Sequence, residues 1–200
     1  MKLIAWDFDG VLNRGFEGGF FLWQQTFEAD LGVSAAVFTD FMFSGAKFAE
    51  VLTGQRDLMH LLTDYTTTHA VPHDPATLMD YWLSKDAHAD PQVLGWLDAC
   101  AVPGVIATNN EGHRADYIWH RMGFSARMQA MFASGRMGVK KPDPAFFAQI
   151  EEWSGHSPAD ILLIDDAEKN VTAAAARGWQ VYHFTDQTRD GLPQVLGLTA

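Results

Sequence analysis

Two hundred residues with 48% hydrophobic and 20% charged content suffice for one globular unit with a real core and a small inserted subdomain, and nothing in them points to disorder. A formal net charge of −11 disfavours a nucleic-acid or anionic-membrane surface, which needs a clustered positive field, so any phosphate here must be met by a few local cations. The single cysteine, Cys100, excludes an internal disulfide and fits a reducing cytoplasm.

The chain opens with Leu3, Ile4, Ala5 and Trp6, an unbroken apolar run suited to a strand buried on both faces of a parallel sheet. It is too short for a signal peptide, and no later segment approaches a membrane-spanning length. Asp7 and Asp9 follow, bracketing Phe8, and Gly10 allows a sharp turn. Two carboxylates this close do not both stay ionised without a cation, which suits one to attack and the other to proton transfer. An EF-hand calcium loop is excluded, since Glu17 is followed by Gly18 and Gly19 where further oxygen ligands are needed.

From Arg14 to Lys85 the pattern is helical. Phe20, Trp23, Phe27 and Leu31 recur at helical spacing up to Gly32, and Ser34 caps a second helix with Val37, Phe38, Phe41 and Met42. A third carries Leu58, Leu61, Leu62 and Tyr65, and Asp74-Pro75 opens a fourth. Their aromatic stripes read as the core of a helical bundle.

Strand and helix then alternate, which argues for a parallel sheet. A helix starts at Asp90-Pro91, a short strand over 104–107 ends in Thr108-Asn109, and a helix through Tyr117, Ile118 and Met122 stops at Gly123. A strand over 131–134 leads to the loop Lys140-Lys141-Pro142-Asp143-Pro144, where a helix starts whose buried face carries Phe146, Phe147, Ile150 and Trp153. The strand at 161–164 ends in Asp165-Asp166, an Ala-rich helix runs to Arg177, and a last strand lies near 181–184. From Thr185 the sequence carries no clear pattern.

Three apolar runs therefore end in polar groups: Asp7 and Asp9, Thr108 and Asn109, Asp165 and Asp166. Each is ordinary alone, as a turn or a helix cap. Gathered at one edge of a parallel sheet with a lysine, they supply what a magnesium-bound phosphoryl group needs: hard oxygen ligands, donors for non-bridging oxygens and an in-line nucleophile.

Asp-Phe-Asp-Gly-Val at 7–11, Thr-Asn at 108–109, Lys-Pro-Asp-Pro at 141–144 and Asp-Asp at 165–166 with Asn170 following resemble the four signature motifs of the haloacid dehalogenase-like (HAD) hydrolase superfamily. The helical insertion after the first motif is similar to a type C1 cap. The resemblance implies an α/β, Rossmann-like parallel sheet with helices on both faces, built from 1–13 and 86–200, and a four-helix cap over 14–85. It implies a Mg²⁺-dependent phosphatase acting on a small phosphate monoester through an aspartyl-phosphate. Asp7 would be the nucleophile and Asp9 the acid and base. Thr108, Asn109 and the backbone amides of Phe8 and Asp9 would hold phosphate, with Lys141 neutralising charge. Asp7, the Asp9 carbonyl and Asp166 would bind the metal, with Asp165 acting there through water or as an orienter.

Members of the superfamily that displace halide carry a different residue at the Asp9 position and use no metal, so Asp9 favours ester hydrolysis. A phosphomutase would share every motif, a haloacid dehalogenase would release halide, and a non-catalytic binding protein is expected to lack one of the motif residues. A cap implies a small soluble substrate, and the loops resemble those of sugar-phosphate or phosphoglycolate phosphatases. Arg14, Glu17, Trp23, Lys47 and Arg56 are the cap residues expected to face it. The expected setting is a cytoplasmic monomer or weak dimer whose partner is a small phosphorylated metabolite, with neither nucleic acid nor membrane.

Overall fold

The computed structural model describes residues 1–17 and 20–198. Five strands, β1 (Leu3–Trp6), β4 (Gly104–Thr108), β5 (Met131–Ala133), β6 (Ile161–Asp165) and β7 (Gln180–His183), form one parallel sheet in the order β5-β4-β1-β6-β7. β1 is central, with Ala5 paired to Val105 on one side and to Leu163 on the other. The chain builds outward through β4 to β5, then crosses β1 to build β6 and β7. This reversal of direction leaves a crevice at the carboxyl ends of β1, β4 and β6, the place where open α/β sheets bind ligands.

Strand alternation explains why the runs are apolar throughout. Ile4, Trp6, Ile106, Leu162 and Ile164 face a cluster with Val93 and Leu97 of α6 (Pro91–Ala99) and with Ile118 and Phe124. Leu3, Ala5, Val105, Ala107 and Leu163 face the opposite cluster, with Phe146, Phe147 and Ile150 of α9 (Pro144–Ser154) and Ala174 of α10 (Glu168–Ala176). Side chains alternate across a strand, so helices on both faces require apolar residues at every position. Two short helices, α7 (Gly112–Asp116) and α8 (Ser134–Met137), follow β4 and β5. The segment beyond Thr185, patternless in the sequence, closes one face through α11 (Leu192–Val195), with Leu192 and Leu196 buried against the first cluster.

Between β1 and β4 the chain leaves the sheet. A two-strand hairpin pairs β2 (Phe16–Glu17) with β3 (Phe20–Phe21), followed by α1 (Gln24–Leu31), α2 (Ala35–Phe43), α3 (Lys47–Leu52), α4 (Leu58–Thr68) and α5 (Pro75–Lys85). Among the described residues of the insertion, five helices stand where four were expected. The addition, α3, is six residues long, shorter than two turns, so it presents no readable period. Phe20 belongs to the hairpin rather than to the first helix, which starts after Trp23. Trp23, Phe27, Phe38, Leu61, Tyr65 and Trp82 pack in a third apolar cluster drawn entirely from this insertion. No helix among the described residues is long and apolar enough to cross a membrane.

The two connections between insertion and sheet are tied to each other. Asn13 donates to the Asp86 carbonyl at 2.9 Å and accepts from the His88 backbone at 2.7 Å. The backbone amides of Arg14 and Asp90 bond to the carbonyls of His88 and Leu12.

Candidate active site

Asp7 sits one residue beyond β1, its amide held by the Ile164 carbonyl at 2.8 Å. One carboxylate oxygen accepts from the Phe8 amide at 2.7 Å, and the other lies 3.0 Å from the Lys141 ammonium. Lys141 is fully enclosed and also meets Asp165 at 2.6 Å. Asp165, the last residue of β6, is buried as well, and takes further hydrogen bonds from Asn170 and from the Ala167 amide. The Lys141 ion pair and these donors satisfy its oxygens, so its carboxylate positions Lys141. Asp166 turns outward over Gly10, whose positive φ of 85° and lack of a Cβ make room: a methyl there would run into the Asp166 carboxylate.

Asp7, Asp165 and Asp166 each bring a carboxylate oxygen within 4.8 Å of the others. Three carboxylates against one ammonium leave a net charge of −2. Burial, opposed by Lys141 and reinforced by Asp165 and Asp166, raises the Asp7 carboxyl well above the usual range. Burial also raises Asp166, with Asp165 adding to it. Burial works against the Lys141 ammonium, but the carboxylates of Asp7 and Asp165 outweigh it and raise its pKa. An all-oxygen donor set with two uncompensated charges fits a hard divalent cation.

Asp9 points the other way, toward the insertion. It accepts from Arg114 at 2.8 Å, Asn110 at 2.9 Å and Asn13 at 3.1 Å. The Asn110 amide also donates to the Thr108 hydroxyl at 2.7 Å, so the end of β4 is wired to Asp9. Arg114, on α7 and buried, pairs with Asp86 at 2.5 Å as well and stacks over Phe8 with 5.7 Å to the ring. Burial raises the Asp86 carboxyl to about 7 against the pull of Arg114. Asn109 brackets the backbone of Lys141, donating to its carbonyl at 2.9 Å and accepting from its amide at 2.8 Å; its amide group fixes the lysine loop.

Beside Asp9 a pocket of about 240 Å³ opens between sheet and insertion. Its floor holds Asp9, Asp86, Asn110 and Arg114, and its roof Phe21, Phe43, Phe48, Leu52, Leu58 and Trp82. Of the cap residues expected to face a substrate, Arg14, Trp23, Lys47 and Arg56 are not among these. Trp23 is wholly buried in the insertion's own cluster, edge-on to Phe27 and Phe38, where its ring gains most from burial. Lys47 lies over the Phe41 ring at 4.0 Å in a separate cleft with His69. Arg56 pairs with Asp64 and lines a polar cleft with Asp57 and His113. Arg14, more than half exposed, lines an outer cleft with Asp166 and Asp186. The Glu17 side chain lies outside the described residues.

Sequence reasoning passed over Arg114, Asn110 and Asn13. Asn13 and Arg114 carry no strand-end signal, but Asn110 directly extends Thr108-Asn109 and was legible there.

A family model described as haloacid dehalogenase-like hydrolase matches residues 1–178. Among solved structures, the HAD family enzyme bt-2542 from Bacteroides thetaiotaomicron, in complex with magnesium and inorganic phosphate, superposes with a TM-score of 0.75 at 16% identity, covering 92% of this chain and 94% of that one. L-2-haloacid dehalogenase from Xanthobacter autotrophicus gives 0.68 at 18% identity, covering 100% and 84%. At these identities the likeness speaks for the fold. The sesquiterpene phosphatase astK of Aspergillus oryzae is 38% identical over 56 residues, 28% of this chain and 29% of that protein. The chain spans less than a third of the length of the curated relatives it matches. With a family model spanning nearly its whole length and the motif residues gathered at the carboxyl edge of a five-stranded parallel sheet, the chain belongs to the haloacid dehalogenase-like hydrolases.

Proposed function

We propose that the protein is a divalent-metal-dependent phosphatase of a small phosphate monoester, working through an aspartyl-phosphate on Asp7. Residues 1–13 and 86–200 are its catalytic core, and 14–85 its cap. The observation that carries the reading is the Lys141 ammonium held between Asp7 and Asp165, with Asp166 beside them.

An oxygen of Asp7 attacks phosphorus as the bond to the leaving oxygen breaks. Lys141 offsets charge on Asp7 and on the transferred group, and Asp165 with Asn109 keeps the lysine in place. Thr108 and the amides of the Phe8 to Gly10 turn receive phosphate oxygens. Asp9 gives its proton to the departing alkoxide, then takes one from the water that attacks phosphorus and frees Asp7. Asp7, Asp166 and the Asp9 carbonyl would hold Mg²⁺, which when bound supplies charge neutralisation at the phosphoryl oxygens.

Asp9 favours hydrolysis of an ester over displacement of halide, because a halide leaves without a proton. The test is release of phosphate from 4-nitrophenyl phosphate with Mg²⁺ and with a chelator, beside halide release from 2-chloropropionate. Phosphate release that stops with the chelator supports the reading; halide release without metal overturns it. A phosphomutase would return the phosphoryl group to its product and liberate little free phosphate.

A further inference from the structure

The roof of the pocket beside Asp9 is almost entirely carbon. Phe43 is at its centre, edge-on to Phe48 at 4.6 Å and to Trp82 at 5.8 Å, and stacked on Phe21 at 6.2 Å. Rings that hold one another form a preorganised wall rather than a surface that must be ordered on binding. Apart from the indole N–H of Trp82, these roof side chains offer a hydroxyl nothing to bond.

The polar floor is already committed. Arg114 is shared between Asp9 and Asp86. Glu111 accepts from the amides of His113 and Arg114, Asn109 is spent on the Lys141 backbone, and Asn110 on Asp9 and Thr108. A sugar entering here exchanges its bonds to water for contacts with aromatic carbon. A second anionic group meets three carboxylates and one arginine that is already neutralised.

Resting on the phosphatase reading, we propose that the substrate is the phosphate monoester of an apolar alcohol or phenol, whose alkyl or aryl group fills this pocket while the ester oxygen lies at Asp9. This replaces the expectation of a sugar phosphate or phosphoglycolate. At about 240 Å³ the pocket is below the roughly 300–1,000 Å³ typical of drug-sized ligands, so the apolar group is small.

The test is kcat/KM with Mg²⁺ for n-alkyl phosphates from ethyl to octyl, beside phenyl phosphate, glucose 6-phosphate and phosphoglycolate. Burial of each methylene predicts a rise of about three- to fourfold, levelling off once the pocket is full. Glucose 6-phosphate and phosphoglycolate should fall at least about tenfold below hexyl phosphate, since an unpaired buried polar group costs more than one methylene gains. Phe48→Ser and Leu52→Asp should each compress the hexyl-to-ethyl ratio, by about tenfold if one side chain's worth of contact is lost. That ratio is measured within one preparation and does not depend on the fraction folded. Calorimetry with n-alkylphosphonates, whose P–C bond resists hydrolysis, should give a Kd that falls with chain length in parallel.

A flat alkyl series, or a preference for the sugar phosphate, overturns this inference and leaves the phosphatase reading standing. If no ester releases phosphate under any metal condition, the phosphatase reading itself falls and takes this one with it.

Discussion

A fully enclosed lysine survives here because two carboxylates face it, and each of the three groups depends on the others. Removing the lysine leaves Asp7 and Asp165 buried without a cation, a loss of about 3–5 kcal/mol for breaking a buried pair. Lys141→Met is therefore expected to lower the urea midpoint strongly and abolish turnover. Lys141→Met combined with Asp165→Asn is expected to recover much of the stability and none of the activity. Equal stability of the single and double variants would contradict the assignment. Asp9→Asn keeps the hydrogen bond from Asn13 and loses the transferable proton. Its kcat is expected to fall by about 10²–10⁴ with KM within a few-fold, because protonation of the leaving group is a transition-state interaction. Equal loss in both would make Asp9 structural. At this scale the sequence was most readable where an apolar run ended in acid or amide, at Asp7, Thr108 and Asp165. It was least readable for Arg114, whose partners Asp9 and Asp86 come from distant segments.

Among the elements, α7 and the two linkers form one electrostatic joint. Arg114 reaches from α7 to Asp9 on the first linker and to Asp86 at the end of the insertion. Arg114→Leu is expected to cost about 3–5 kcal/mol in stability and to free Asp9, read as a lower urea midpoint with a larger fall in kcat. An unchanged midpoint would show that the joint carries no load. Asp86 adds a pH dependence. Its carboxyl is raised from the ordinary 3.8 to about 7, so between those values the folded state keeps a proton that the unfolded chain has lost. Stability from this group is full below about pH 4 and declines toward pH 7, with a slope of at most about 1.4 kcal/mol per pH unit. Asp86→Asn should flatten the change in urea midpoint between pH 5 and 7.5; an unaltered slope would contradict this. Long elements were legible because four or more apolar residues establish a period. The β2–β3 hairpin and α3 were not, since two-residue strands and a six-residue helix are too short to repeat one. The close of the first core cluster by Leu192 and Leu196 was missed for the same reason.

Across the molecule, the described residues form two apolar clusters built on the sheet and one confined to the insertion, with the pocket between them. Where the two parts touch, backbones come close: Gly54, at φ 70° after α3, lies against the Gly135 carbonyl at the start of α8, with no room for a Cβ. The Asp57 carboxylate meets His113 at 3.0 Å beside it. Gly54→Val is expected to hold the insertion away from the sheet, raising KM and lowering kcat together while the far-UV spectrum stays native. Normal kinetics would mean the contact is dispensable. The parallel sheet and the inserted helical segment followed from the order of apolar runs. The pocket's chemistry did not, because its roof draws on the hairpin, α2, α3, α4 and α5, whose meeting depends on tertiary packing.

Asp7 is the residue on which the proposed chemistry depends most. Phosphate release from 4-nitrophenyl phosphate in Mg²⁺, compared between the natural protein and Asp7→Asn, measures that dependence directly. A loss of about a thousandfold or more in kcat is expected, as for removal of a nucleophile, with the folded state retained. Full activity in the Asp7→Asn protein would contradict it.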